Sequence, residues 1–83
     1  MLESVTKAIR EKEGYISRMA TKYAERLSAK TAPPGVLECF AKAKMNLGLA
    51  KEALAQNNHE KVVYYYGRLC TCLGEVLGRL AQK

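Results

Sequence analysis

Proline is nearly absent from this sequence of 83 residues, and its two copies, Pro33 and Pro34, are adjacent. Proline interrupts a helix and disfavours helical geometry in the residue before it. A chain with a single such break can therefore form long helices on both sides of it. Alanine, leucine, lysine and glutamate dominate elsewhere, and these residues favour helices. The composition predicts an all-α protein, and the length predicts one small domain over residues 1–83.

Long apolar runs are also missing. No stretch approaches the roughly 18 apolar residues that a transmembrane helix needs, and the start lacks a basic region followed by an apolar one. The cysteines are odd in number, three in all, and have no disulfide-like spacing, which predicts a reducing compartment, the cytoplasm. The net charge of +6 permits an acidic partner or a nucleic acid without requiring either.

Residues for catalysis or metal binding are scarce. His59 is the only histidine and falls in a predicted turn, distant from Cys39 and from Cys70. Residues two apart on a helix point roughly 200° away from each other, so Cys70 and Cys72 cannot hold the same ion. The sequence also lacks a phosphate-binding loop and paired carboxylates on an apolar face. We therefore expect no enzyme, no catalytic residue, no metal or other cofactor, and no small-molecule substrate.

Helical spacing and turn residues predict three helices. An apolar stripe at steps of three, four or seven predicts helix 1 over about residues 2–30, with a possible kink at Gly14. Proline is favoured at the first helical position, so helix 2 is predicted over about 34–56. Asn57 can close helix 2 in the left-handed conformation, and Asn58 can cap helix 3, over about 59–81. The short connection predicts an antiparallel hairpin of helices 2 and 3.

Helix 3 contains three glycines, each of which costs about 1 kcal/mol relative to alanine in a helix interior. Gly67, Gly74 and Gly78 lie in one narrow arc together with Thr71. Small residues allow two helix backbones to approach closely. The glycines therefore predict a groove along helix 3, filled either by helix 1 of the same chain or by a helix of another chain.

Residues 46–70 resemble a tetratricopeptide-type helical hairpin. The segment "ALAQNNHEKVVYYYGRL" is similar to the turn and second helix of that repeat. The positions that carry the comparison are Asn46, Leu49, Ala50, Ala53, Val62, Tyr65 and Tyr66, of which Asn46, Ala53 and Val62 depart from the residues the repeat prefers. The resemblance implies two antiparallel helices that present a groove, and such repeats commonly bind peptides or helices.

Basic residues recur every fourth position near the end of helix 1, at Arg18, Lys22, Arg26 and Lys30. This basic ridge is typical of a solvated helix face. It could also dock an acidic protein segment or contact a phosphate backbone. The pattern of a DNA-recognition helix is missing from the sequence.

The patterns together predict a non-enzymatic protein-interaction module, a small adaptor or a secretion-type co-chaperone. Its partner is an amphipathic helix of another protein or of a second copy, bound along helix 3. The residues expected to contact the partner are Tyr65, Gly67, Leu69, Leu73, Gly74, Val76, Gly78 and Leu80. A small basic nucleic-acid-binding or accessory protein is the alternative.

Overall fold

The computed structural model describes residues 2–24, 26–27 and 32–81. Within these residues the fold is all-α, as predicted, and contains helices α1 (Leu2–Lys22), α2 (Val36–Ala55) and α3 (His59–Ala81). Helix α2 packs against both α1 and α3. The molecule is elongated, 40 Å by 18 Å by 17 Å, because α2 and α3 form an antiparallel hairpin of two long helices.

Helix α1 runs without interruption through Gly14 and ends at Lys22, earlier than the sequence pattern indicates. Turns follow at residues 23–24 and 26–27, where the amide of Ala24 donates to the carbonyl of Thr21 at 3.4 Å. The guanidinium of Arg26 donates to the carbonyl of Leu80 near the end of α3. This contact between distant segments accompanies the early end of α1. The predicted helix end near residues 29–31 falls outside the described residues.

The entry to α2 is fixed by a left-handed glycine and an arginine of α3. Gly35 has φ 80°, a conformation that residues with a side chain seldom adopt. The Nη1 atom of Arg79 donates to the carbonyl of Pro34 at 3.0 Å. Helix α2 therefore begins at Val36, just after the two prolines, rather than at Pro34.

The turn between α2 and α3 confirms both asparagine predictions. Asn57 has φ 55°, which is the left-handed geometry that ends a helix. The side-chain oxygen of Asn58 accepts a hydrogen bond from the amide of Lys61 at 3.3 Å. Because this turn is short and capped on both sides, α3 reverses directly and packs along α2.

The core lies mainly between α2 and α3. Val36, Ala43 and Ala50 of α2 are fully buried, as are Leu69 and Val76 of α3. Small alanines on α2 leave room for the larger α3 side chains, which is how helices interlock at close range. Ile9, Ile16 and Met19 of α1 are also buried in this cluster. Helix α1 thus covers one side of the hairpin and leaves other parts of α3 exposed.

Candidate protein-binding face of helix α3

One side of α3 is buried against α2. Leu69, Leu73, Val76 and Leu80 were among the residues expected to contact a partner, and their side chains are no more than 4% exposed. They pack inside the chain because they form the apolar stripe that α2 covers. These four side chains are therefore not accessible to a partner, and the exposed residues of α3 lie on its other sides.

The opposite side of α3 forms a surface that we call the outward face. Its members share an arc of about 120° on the helix and are Val63, Gly67, Cys70, Thr71, Gly74, Leu77, Gly78 and Ala81. All of them are exposed except Cys70, which is half-buried. Glu60 falls in the same arc at the first turn of α3, but from Val63 to Ala81 the outward face contains no charged residue, which is unusual for a helix surface in water, since such surfaces are normally polar.

The glycines of the outward face are open to solvent. A Cβ atom added at Gly67, Gly74 or Gly78 meets no described atom within 4 Å, apart from chain neighbours and the backbone of the same helix. Among the described residues, helix α1 therefore does not fill the glycine groove. Of the two occupants that the sequence left open, helix α1 of the same chain is therefore not the one found in the described structure.

Large apolar side chains accompany these glycines. Val63 is 70% exposed and Leu77 is 38% exposed, and Tyr64 beside them is 57% exposed. Burial of apolar area is favourable at about 25 cal/mol per Å². In the hairpin Val63 and Tyr64 remain mostly exposed, and Leu77 remains exposed in part. They were not among the residues predicted to bind a partner. Their position, outside the stripe that faces α2, is the sequence signal that identifies them.

Charged residues follow one edge of the outward face. Lys61, Arg68, Glu75 and Arg79 occupy this charged edge. A surface cavity of about 520 Å³ lies along it, lined in part by Tyr64, Gly67, Arg68 and Lys42 of α2. On the other edge lies a cavity of about 300 Å³, lined by Leu77 and by α1 residues that include Met19 and the cations Arg18 and Lys22. The outward face is thus bordered by a depression on each side.

The three consecutive tyrosines have different surroundings. Tyr64 is exposed, and the guanidinium carbon of Arg68 lies 5.8 Å from its ring centroid. Tyr65, which was predicted to contact a partner, is half-buried, and its ring meets that of Tyr64 edge-on at 5.2 Å. Tyr66 is half-buried, and burial, followed by the neighbouring Cys70, raises the pKa of its hydroxyl. Tyr64 is therefore the tyrosine most available to a partner.

The cysteines do not form a metal centre in the described residues, where no three metal-ligating side chains lie together. The Cys39 thiol donates to the Glu75 carboxylate at 3.1 Å. This hydrogen bond and, to a smaller extent, burial raise the pKa of Cys39, which Arg79 partly opposes. Cys72 is buried, close to the side-chain amide of Asn46. Cys70 is the most exposed of the three thiols.

The predicted basic ridge is continuous only in its first part. Arg18 and Lys22 are exposed on α1. Arg26 lies in the turn beyond α1, is half-buried, and donates to Leu80. Lys30 is outside the described residues. Among the described members of the ridge, Arg18 and Lys22 lie on α1 and Arg26 lies beyond it, because α1 ends at Lys22.

Comparisons of this chain with protein-family models, curated proteins and solved structures found no match. Within the described residues, none of the helices combines the length and the apolarity that crossing a membrane requires.

Proposed function

We propose that this chain is a non-enzymatic protein-interaction module that holds an amphipathic helix along the outward face of α3. It acts as a small adaptor or co-chaperone that shields the apolar side of its partner. The observation that carries the proposal is the combination of open glycines with exposed apolar side chains. Gly67, Gly74 and Gly78 have free space above them, while Val63 and Leu77 lie exposed on the same face.

Binding in this mode replaces water on the outward face with a packed helix. The glycines allow the two backbones to come close, which brings many atoms into van der Waals contact. Val63, Leu77 and Tyr64 lose exposed apolar area, and this loss is the main source of affinity. The net charge of +6 raises the encounter rate with an acidic partner, because complementary charge steers association.

The test places a photoreactive amino acid at Ala81, on the outward face, in cells that make the protein. We expect covalent adducts with one defined protein at this position, identified by mass and by sequencing of the joined peptides. Gly74→Leu should remove the adducts because its side chain occupies the groove. The helix content of Gly74→Leu should stay at the wild-type value, since the added atoms have open space.

Met45 provides the matched control. It is 58% exposed on α2 and lies outside the outward face, so the same photoreactive group there should give no defined adduct. Equal adducts at Met45 and Ala81, or adducts that persist in Gly74→Leu, would contradict the proposal. The proposal would also be contradicted if the protein were recovered from these cells only as a free single chain of 9.2 kDa.

A further inference from the structure

Cations border the outward face on both sides. On the charged edge, Lys42 of α2 and Arg68 of α3 line the cavity of about 520 Å³. On the other edge, Arg18 and Lys22 of α1 line the cavity of about 300 Å³ beside Leu77. We call these four basic residues the flanking cations, and all of them are exposed. They come from three helices, so the packing of the chain places positive charge along both borders of an uncharged face.

The flanking cations have no carboxylate partner in the part of the chain that the structure describes. The salt bridge found there joins Lys51 of α2 to Glu13 of α1 at 2.6 Å instead. Arg68 lies beside the ring of Tyr64, with its guanidinium carbon 5.8 Å from the ring centroid. Such a contact positions a cation without supplying an acceptor for its N–H donors. The flanking cations can therefore donate to the carboxylates of a partner.

Carboxylates around the outward face are fewer than cations. Glu75 lines the larger cavity, where it accepts a hydrogen bond from the Cys39 thiol at 3.1 Å. Burial is the main cause of the raised pKa of the Tyr66 hydroxyl, and Glu11 of α1 adds to it, which places Glu11 near the α1 border. Glu60 belongs to the first turn of α3. The flanking cations and the two other cations of the charged edge outnumber these three carboxylates.

A helix is the shape that the outward face can receive. Gly67, Gly74 and Gly78 leave open space along its middle, and a helix with its side chains is about 10–12 Å across. An amphipathic helix has one apolar stripe with polar residues on both sides of it. When that stripe packs on the glycines and on Leu77, the residues beside it lie above the two cavities. The flanking cations therefore meet the residues that border the stripe.

We propose that the helix held on the outward face belongs to another protein and is acidic, with Asp or Glu on both sides of its apolar stripe. The inference rests on the proposed function, since it names the chemistry of the partner of the same face. In heptad notation, the apolar residues of this helix occupy positions a and d, and its acidic residues occupy positions e and g. Each carboxylate then accepts charge-assisted hydrogen bonds from a flanking cation, and these are stronger than hydrogen bonds between neutral groups.

The same charges disfavour two other occupants. A second copy of this chain presents the same flanking cations, and each chain has a net charge of +6, so two copies repel each other overall. A lipid surface is entered by bulky apolar side chains such as Trp, Phe and Leu, whereas glycines form the middle of the outward face. An acidic amphipathic helix satisfies both the charge and the shape.

Two synthetic peptides of four heptads test the charge of the partner. Both have leucine at a and d, and one has glutamate at e and g where the other has lysine. In fluorescence anisotropy, the purified chain should bind the glutamate peptide about tenfold or more tightly than the lysine peptide, because complementary charge favours the right partner. Gly74→Leu should remove binding of the glutamate peptide, whereas attraction by charge alone would survive a blocked groove.

Charge reversals test the two borders separately. Lys42→Glu, beside the larger cavity, and Arg18→Glu, beside the smaller one, should each raise the Kd of the glutamate peptide about fivefold or more. The two factors should multiply in the double variant, because distant sites act independently. Lys44→Glu is the matched control. Lys44 is exposed on α2, lines a different cavity and points about 200° away from Lys42, so this reversal should change the Kd less than about twofold.

Three results with the purified chain would overturn this inference. They are equal affinity for the two peptides, an affinity for the glutamate peptide that Lys42→Glu and Arg18→Glu leave unchanged, and stronger retention on phosphatidylserine vesicles or duplex RNA than on the immobilised glutamate peptide. None of them contradicts the proposed function if photoreactive Ala81 captures one defined protein in cells.

The protein captured at Ala81 supplies a second test. A captured helix without acidic residues beside its apolar stripe would overturn the inference and leave the proposed function standing. Conversely, adducts at Met45 equal to those at Ala81 contradict the proposed function whatever the peptides do.

Discussion

Gly35 and the glycines of the outward face show how one residue type acts in two ways. Gly35 has φ 80°, and a Cβ there would lie 2.9 Å from Nη1 of Arg79, which is held by the carbonyl of Pro34. This site requires glycine for the fold. Gly67, Gly74 and Gly78 have open space instead, so the fold of the single chain gains nothing from the absence of their side chains.

Alanine substitutions separate the two kinds of glycine. Gly74→Ala should raise the free energy of unfolding by about 0.5–1 kcal/mol, because alanine has the higher helix propensity and meets no obstacle. Gly35→Ala should lower it by about 1–3 kcal/mol, because it combines a left-handed backbone with a crowded side chain. Urea denaturation followed by circular dichroism measures both, at concentrations low enough to keep the chains monomeric. If Gly35→Ala instead raised the free energy of unfolding, that result would contradict the left-handed backbone of Gly35 and its close approach to Arg79.

The raised pKa of the Cys39 thiol predicts that the free energy of unfolding falls at alkaline pH. Its hydrogen bond to Glu75 and its burial raise the pKa above the ordinary value of 9.0. The folded state therefore holds this proton more tightly than the unfolded state. The contribution of this proton to the free energy of unfolding is fully present below the pKa that Cys39 has in the unfolded chain. It is lost as the pH rises through the higher pKa that Cys39 has in the folded chain.

The measurement compares wild type with Cys39→Ala. Between pH about 8 and about 10, the free energy of unfolding of the wild type should fall more steeply than that of the variant. Subtracting the two curves removes the titration of other groups that the proteins share. Parallel curves would show that the pKa of Cys39 is the same in the folded and unfolded chains.

Helix α3 is the element that carries both the core and the candidate binding face. Its inner stripe, centred on Leu69 and Val76, packs on α2, while Val63 and Leu77 face outward. A surface helix usually needs only one apolar side. From Val63 to Ala81 the other side of α3 is uncharged and mostly exposed in the described chain, and this second uncharged side is the reason for proposing a partner.

Leucine truncations test this division of α3. Leu69→Ala should lower the free energy of unfolding of the monomer by about 2–5 kcal/mol, because it opens a cavity in the α2–α3 core. Leu77→Ala is the matched truncation on the outward face and should cost less than about 1 kcal/mol there. Its main effect should be weaker binding of the partner, measured as a lower yield of photoreactive adducts at Ala81. A large loss of monomer stability in Leu77→Ala would contradict the assignment of the outward face.

The three-helix chain as a unit is small, with 83 residues, and small domains have limited cores. Association buries additional apolar area, so it should contribute to the stability of the fold. We expect the thermal midpoint of the wild type to rise as its partner is added, because a partner that binds only the folded chain stabilises it by mass action. The midpoint of Gly74→Leu should not respond to the partner. A wild-type midpoint that the captured partner leaves unchanged would contradict binding to the folded hairpin.

Local chemistry determined most of the architecture. The adjacent prolines, the asparagines at positions 57 and 58, and the apolar spacing of α3 act through neighbours in the chain. The sequence therefore predicts three helices, the hairpin and the capped turn. The narrow arc of glycines on α3 is likewise a property of helical spacing.

Tertiary contacts decided the rest. The end of α1 at Lys22 accompanies the bond between Arg26 and Leu80, and the left-handed Gly35 lies under Arg79. These pairs are far apart in sequence, so no local pattern reveals them. Spacing alone defines the two stripes of α3, but it could not tell whether the leucine and valine stripe packs on α2 of the same chain or on a partner. That choice follows from the fit of large α3 side chains against the alanines of α2, which leaves the glycine side open.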